Sequence, residues 1–242
     1  MNGEARAFVC GFGDVQAGLG GLAWDLGEPG ALLLSKGEVR QATFALERDL
    51  ETTTVEITAG ADTVEATLAP ERTLIEHPDA DNPVEFKATG ALAEVRSKGG
   101  DQTFECAGQL SEWVGDPLEG VGILRHLAIG GGPDSHLIAT ARGVRGAEGH
   151  GSERAVGWLL SGESGVPYEE TLISTQYDGN GEPTRIGLEL WPEDADQSSR
   201  AAATRVSGSL LGGLRAGPVW AGLFRCHTDG AEGLGTYLLW RP

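Results

Sequence analysis

Glycine punctuation constrains this chain more than any other feature. Thirty-eight glycines in 242 residues separate short runs rich in Val, Thr, Leu and Ile. "TTTVEITAG" (52–60) and "DTVEATLAP" (62–70) alternate apolar and polar residues with a period of two, as strands with one wet face do. "PVEFKATGALAEV", "QTFECAGQL", "HLIATARGV", "RAVGWLLSG", "ETLISTQYD", "RIGLELW" and "GTYLLW" follow the same rule. Turn clusters such as "KGGD", "DGNGEP" and "TDGAEG" separate them at the spacing of about 8–12 residues typical of sandwiches and barrels. No stretch sustains a 3.6-residue stripe, and only "PEDADQSSRAAATR" (192–205), acidic at its start and basic at its end, reads as a helical turn or two. The expected fold is all-β and mostly antiparallel.

A division is expected at "SEWVGDPLEG" (111–120), where a proline and two glycines interrupt the strand pattern. It separates an N-terminal half, residues 1–115, from a C-terminal half, residues 116–242. The second half holds four of the six tryptophans and four of the five histidines, so the site is expected there.

Charge limits the partners. The balance of 18 Lys+Arg against 36 Asp+Glu gives a net charge of −18, which repels phosphate backbones and argues against nucleic acid. Three widely spaced cysteines, Cys10, Cys106 and Cys226, include no C-x-x-C pair, so neither a disulfide framework nor a thiolate zinc site is expected. "MNGEARAFVC" does not read as a signal peptide, and no apolar run reaches the length of a membrane span. The expectation is a soluble cytoplasmic protein.

"STQYDGNGEPTRIGLELW" (174–191) concentrates the most chemistry. Counted from Asp178, it offers calcium-loop oxygens at Asp178, Asn180, Glu182 and Glu189, but Pro183 stands where such a loop needs glycine. A hairpin accounts for more of the pattern. Facing Tyr177 with Thr184, Thr175 with Ile186 and Ile173 with Leu188 makes an aliphatic layer of Ile173, Ile186, Leu188 and Leu190. The opposite face carries Glu170, Leu172, Ser174, Gln176, Arg185, Glu189 and Trp191. That face is either wet or the lining of a pocket. No metal site is expected.

Other clusters are less specific. Glu148, His150 and Glu153 stand close together in "EGHGSERAV", and His126 and His136 flank a Gly-rich turn that matches no phosphate-loop pattern. Cys226 and His227 are adjacent on a strand and point to opposite faces, which argues against a thiol–imidazole pair.

"GILRHLAIGGGPDSHLIATARG", "GHGSERAVGWLLSG", "ISTQYDGNGEPTRIGLELW" and the ending "GSLLGGLRAGPVWAGLFRCHTDGAEGLGTYLLW" resemble, in strand order and turn placement, the lipocalin-like family of carotenoid 1,2-hydratases (hydroxyneurosporene synthases). The resemblance implies two calycin-like barrels, an apolar cavity for an isoprenoid or polyketide-like ligand, and cofactor-independent protonation of an alkene. Such chemistry needs a carboxylic acid in a dry cavity and aromatic faces for the cation that follows. Glu189 is the first candidate acid and Glu170 the second. Trp191, Tyr177, Gln176, Trp158, Trp220, Trp240 and His126 are the candidate substrate contacts. The expected function is a hydratase, cyclase or isomerase acting on a hydrophobic alkene. The alternative is a non-catalytic carrier of an apolar small molecule.

Overall fold

The computed structural model describes residues 6–14, 16–76, 84–98, 102–130, 135–144, 153–161, 164–168, 170–192, 198–211, 217–228 and 231–241. The first unit contains β1 (Arg6–Asp14), β2 (Leu19–Asp25), β3 (Pro29–Ser35), β4 (Glu38–Arg48), β5 (Thr53–Ala59), β6 (Asp62–Glu76), β7 (Glu85–Lys98) and β8 (Thr103–Val114). Each strand pairs antiparallel with the next, and β8 returns to pair with β1, closing an up-and-down barrel. Val55, Ile57, Val64, Ala66, Leu68 and Val95 fill its interior, so the period-two pattern does what it predicts.

The second unit begins at Val121. It contains β9 (Val121–Gly130), β10 (Ser135–Val144), β11 (Glu153–Ser161), β12 (Ser164–Pro167), β13 (Glu170–Tyr177), β14 (Pro183–Trp191), β15 (Ser199–Leu211), β16 (Val219–Thr228) and β17 (Ala231–Trp240). They form one antiparallel sheet in the order β12-β11-β10-β9-β17-β16-β15-β14-β13. The last strand docks beside the first of its own unit, through Leu238 opposite His126.

This sheet curls until its two ends meet, and the resulting barrel is nearly closed. At the seam the Tyr168 N–H donates to the Gly157 carbonyl at 3.1 Å. A Cβ on Gly157 would stand 2.7 Å from Thr171 Oγ1, so β11 and β13 approach this closely because that side chain is missing. Inside, the Arg125 guanidinium forms a buried ion pair with Glu153 and donates to the Ile173 carbonyl at 2.8 Å. Arg125 thereby ties β9 to both β11 and β13 where no strand ladder does.

Two sequence expectations change here. Residues 199–205 belong to β15 rather than to a helix, and the described residues contain no helix at all. Ala201 and Ala203 face the barrel interior between β14 and β16, and this packing overrides the helical preference of an alanine run. Tyr177 pairs with Pro183 through a register shift, while Thr175 opposite Ile186 and Ile173 opposite Leu188 stand as expected.

The two barrels share a core. Val9, Leu22, Phe86 and Trp113 of the first pack with Leu124, Ile138, Trp158, Leu238 and Trp240 of the second. Glycines set the separation. A Cβ at Gly130 would lie 2.4 Å from the Ala107 Cβ, and one at Gly11 would lie 2.6 Å from Thr236 Cγ2.

Candidate functional site at the contact between the barrels

Four rings gather in this shared core. Phe86 stacks on Trp158 with centroids 5.0 Å apart and leans on Trp113, its cross-strand partner, at the same distance. The His126 imidazole stands edge-on to Trp113 at 5.5 Å and to Phe86 at 6.3 Å. His126 is 1% exposed, and neither ring nitrogen has a hydrogen-bond partner among the described residues. The indole N–H groups of Trp24 and Trp240, members of the same core, are also buried and without a partner among the described residues. Each such group costs about 1–3 kcal/mol in an empty protein, and three of them in one core call for an explanation. Burial pushes the His126 imidazole down to about 3. It is therefore neutral at physiological pH, able to accept one hydrogen bond and donate one, and unable to serve as a proton source.

Polar groups border this aromatic patch. On one side Ser111 donates to Gln109 at 3.2 Å, and Gln109 reaches Thr236 across the contact at 3.4 Å. Gln109 and Thr236 line a cavity of about 20 Å3 between the barrels, room for a single water. His136 lines the same cavity and faces Glu71 at 3.6 Å, while on the other side Glu76 faces Arg154 at 3.8 Å.

The sequence-derived site residues separate. Trp158, Trp240 and His126 come together at the barrel contact. His126 and His136 lie on adjacent strands but are not opposite one another: His126 pairs with Thr140 and His136 with Gly130. Trp220 lies inside the second barrel against Phe224 and Tyr237. Tyr177 caps that barrel, with the Arg241 guanidinium 4.9 Å above its ring and donating to its hydroxyl.

Glu189, Glu170, Gln176 and Trp191 stand on the outer face of β13 and β14, the reverse of the layer formed by Ile173, Ile186, Leu188 and Leu190. The Glu189 side chain is 40% exposed and ion-paired with Arg200 at 3.5 Å. It borders an open groove of about 550 Å3 with Leu172, Ser174, Gly187 and His227. This is the wet side of the hairpin, so neither Glu189 nor Glu170 stands in the dry cavity that the acid role requires.

The possible calcium loop is a turn held by its own hydrogen bonds. Asp178 Oδ1 accepts the N–H groups of Asn180 and Glu182, and Arg205 pairs with both Asp178 and Glu182. Those N–H bonds, with Arg205 beside them, hold the Asp178 carboxyl below the usual range. Glu148 and His150 lie outside the described residues, and Glu153 is the buried partner of Arg125. All three cysteines are free and buried, and burial pushes each thiol up to about 12. Cys226 points into the barrel and His227 out of it.

Sequence reasoning missed the first barrel's share of the site, namely Trp24, Phe86, Trp113 and Glu76. Phe86 and Trp113 sit on runs that read as ordinary one-sided strands, and nothing local shows that their outer face meets a second barrel.

No family model matches this chain, and no curated protein matches it by sequence. Solved structures do. A candidate AttH from Nitrosomonas europaea superposes with a TM-score of 0.66 at 12% identity, over 97% of this chain and 91% of that one. CghA in complex with Sch210972 gives 0.63 at 9% identity, over 98% and 89%. Kievitone hydratase from Nectria haematococca gives 0.61 at 9% identity, over 97% and 87%. These likenesses place the chain in the class of paired lipocalin-like barrels, and at such identities they establish the fold alone.

Proposed function

We propose that this protein is a cofactor-independent hydratase or cyclase for a hydrophobic alkene, and that its substrate seats at the contact between the barrels. The observation that carries the proposal is His126, a buried neutral imidazole with neither nitrogen partnered among the described residues, enclosed by Phe86 and Trp113. His126 is buried and the neighbouring cavity holds one water, so an apolar substrate bearing an oxygen function reaches the imidazole only as the barrel contact parts. It then satisfies the imidazole, and its alkene lies along rings whose faces stabilise a developing cation. The shared fold with a hydratase, and with CghA carrying a bound small molecule, supports the same reading. The alternative, a carrier without chemistry, uses the same site.

Native mass spectrometry of freshly purified protein, followed by extraction of whatever co-purifies, tests the site. The expected result is an apolar alkene or its hydrated or cyclised product, whose rebinding quenches tryptophan fluorescence in the wild type and not in His126→Leu. An empty protein whose melting temperature ignores a panel of apolar alkenes would overturn the proposal. Binding without turnover would favour the carrier.

A further inference from the structure

This inference rests on the site just proposed and names the acid that its chemistry needs. We infer that Glu76, the last residue of β6, is the proton donor and acceptor of the site. The reason begins in the backbone. β6 carries a bulge between Pro70 and Arg72, which inserts one residue against β7. Before the bulge, Val64, Ala66 and Leu68 point into the first barrel. One extra residue reverses the alternation, so beyond it Leu74 packs against the core shared with the second barrel. Glu76, two residues further, points the same way, while Ile75 between them is 48% exposed.

Glu76 is the cross-strand partner of Phe86. Directly opposed residues of an antiparallel pair share a face, with Cβ atoms about 4.5–5.5 Å apart. The carboxyl group therefore stands beside the ring that stacks on Trp158 and touches His126. Glu76 Oε2 is sealed from solvent, and Oε1 faces the Arg154 guanidinium at 3.8 Å. Among the described carboxylates of the barrel contact, Glu76 is the one adjoining this aromatic patch. Glu71, on the same strand, faces His136 instead.

The step balances. The protonated form of Glu76 gives its proton to one alkene carbon as the π bond breaks, and the carboxylate left behind pairs with Arg154. The cation forms on the neighbouring carbon against Phe86 and Trp158. In hydration a water oxygen bonds to that carbon and its proton returns to Glu76. In cyclisation a nucleophile of the substrate takes the place of water and returns its proton to the same carboxylate.

A site built for that cation prefers a cationic mimic. The test compares binding of trimethyl(2-naphthylmethyl)ammonium with its neutral isostere 2-neopentylnaphthalene, in about 0.15 M salt so that the overall negative charge is screened. The expected result is at least tenfold tighter binding of the ammonium by the wild type. Glu76→Gln should lose that preference while binding the isostere as the wild type does, and Glu71→Gln should keep it. A preference that survives in Glu76→Gln, or a wild type that binds the isostere and shows none, would overturn Glu76 and leave the inter-barrel site standing. If the wild type does not bind the isostere, the site itself falls and the assignment of Glu76 falls with it.

Discussion

His126 shows at the scale of one residue how function can oppose stability. A buried polar group without a partner is destabilising, and an apolar side chain of similar size removes that cost. His126→Leu should therefore raise the midpoint of urea unfolding by the equivalent of about 1–3 kcal/mol while abolishing ligand binding. The sign of the pH dependence follows from the same burial. The imidazole is held at about 3 in the folded protein against 6.5 ordinarily, so between those values the unfolded chain binds more protons. Wild-type stability falls as pH drops from about 6.5 towards 3, and His126→Leu lacks this contribution. Melting curves of both proteins between pH 7 and pH 4 should show the gap in melting temperature widening with acidity. A constant gap would mean that the imidazole has a partner or access to water.

Single elements explain how residues of correct type ended on unexpected faces. The hairpin of β13 and β14 was legible in the sequence to its core register, because alternation of period two leaves two choices and the aliphatic layer selects one. What lies beyond the polar face was not legible, since a wet face and a pocket wall have the same pattern. Solvent covers that face here, which puts Glu189 beside Arg200 rather than in a cavity. The opposite problem hid β2. Its residues 19–24 are buried on both faces, one towards the barrel interior and one towards the second barrel, so "LGGLAWD" shows no alternation.

The seam of the second barrel makes a separate prediction. Arg125 and Glu153 are each 2% exposed and join strands that no ladder joins. Arg125→Met leaves a buried carboxylate without its cation and should cost about 3–5 kcal/mol, whereas Arg125→Met with Glu153→Leu recovers most of that loss. Hydrogen exchange at the amides of β13 should accelerate in the single variant, locating the damage at the seam. Equal stability of all three proteins would mean that packing alone closes the barrel.

For the whole molecule, the shared core decides what can exist alone. Trp24, Phe86 and Trp113 of one barrel and Trp158, Leu238 and Trp240 of the other bury the same surface. Separating residues 1–115 from 116–242 exposes an apolar patch on each piece. Each half expressed alone should aggregate or bind a hydrophobic dye strongly, and co-expression should restore a soluble one-to-one complex, as sedimentation would measure. A monomeric, dye-silent half would show that the shared core is not needed for folding.

From its own pattern the sequence determined the all-β class, the antiparallel pairing and the inner face of the β13–β14 hairpin, because periodicity and turn residues act over a few neighbours. It also marked Trp158, Trp240 and His126 as residues of interest. The tertiary structure alone decided that these three face outward from their barrel and meet the core of the other, Phe86 and Trp113 included, while Arg154 of the same barrel faces Glu76. The physical reason is range. A bulge at Glu71 turns Glu76 towards the contact, and glycines such as Gly130 let two curved sheets close on each other. Contacts between residues far apart in sequence, such as Phe86 with Trp158, leave no local signature.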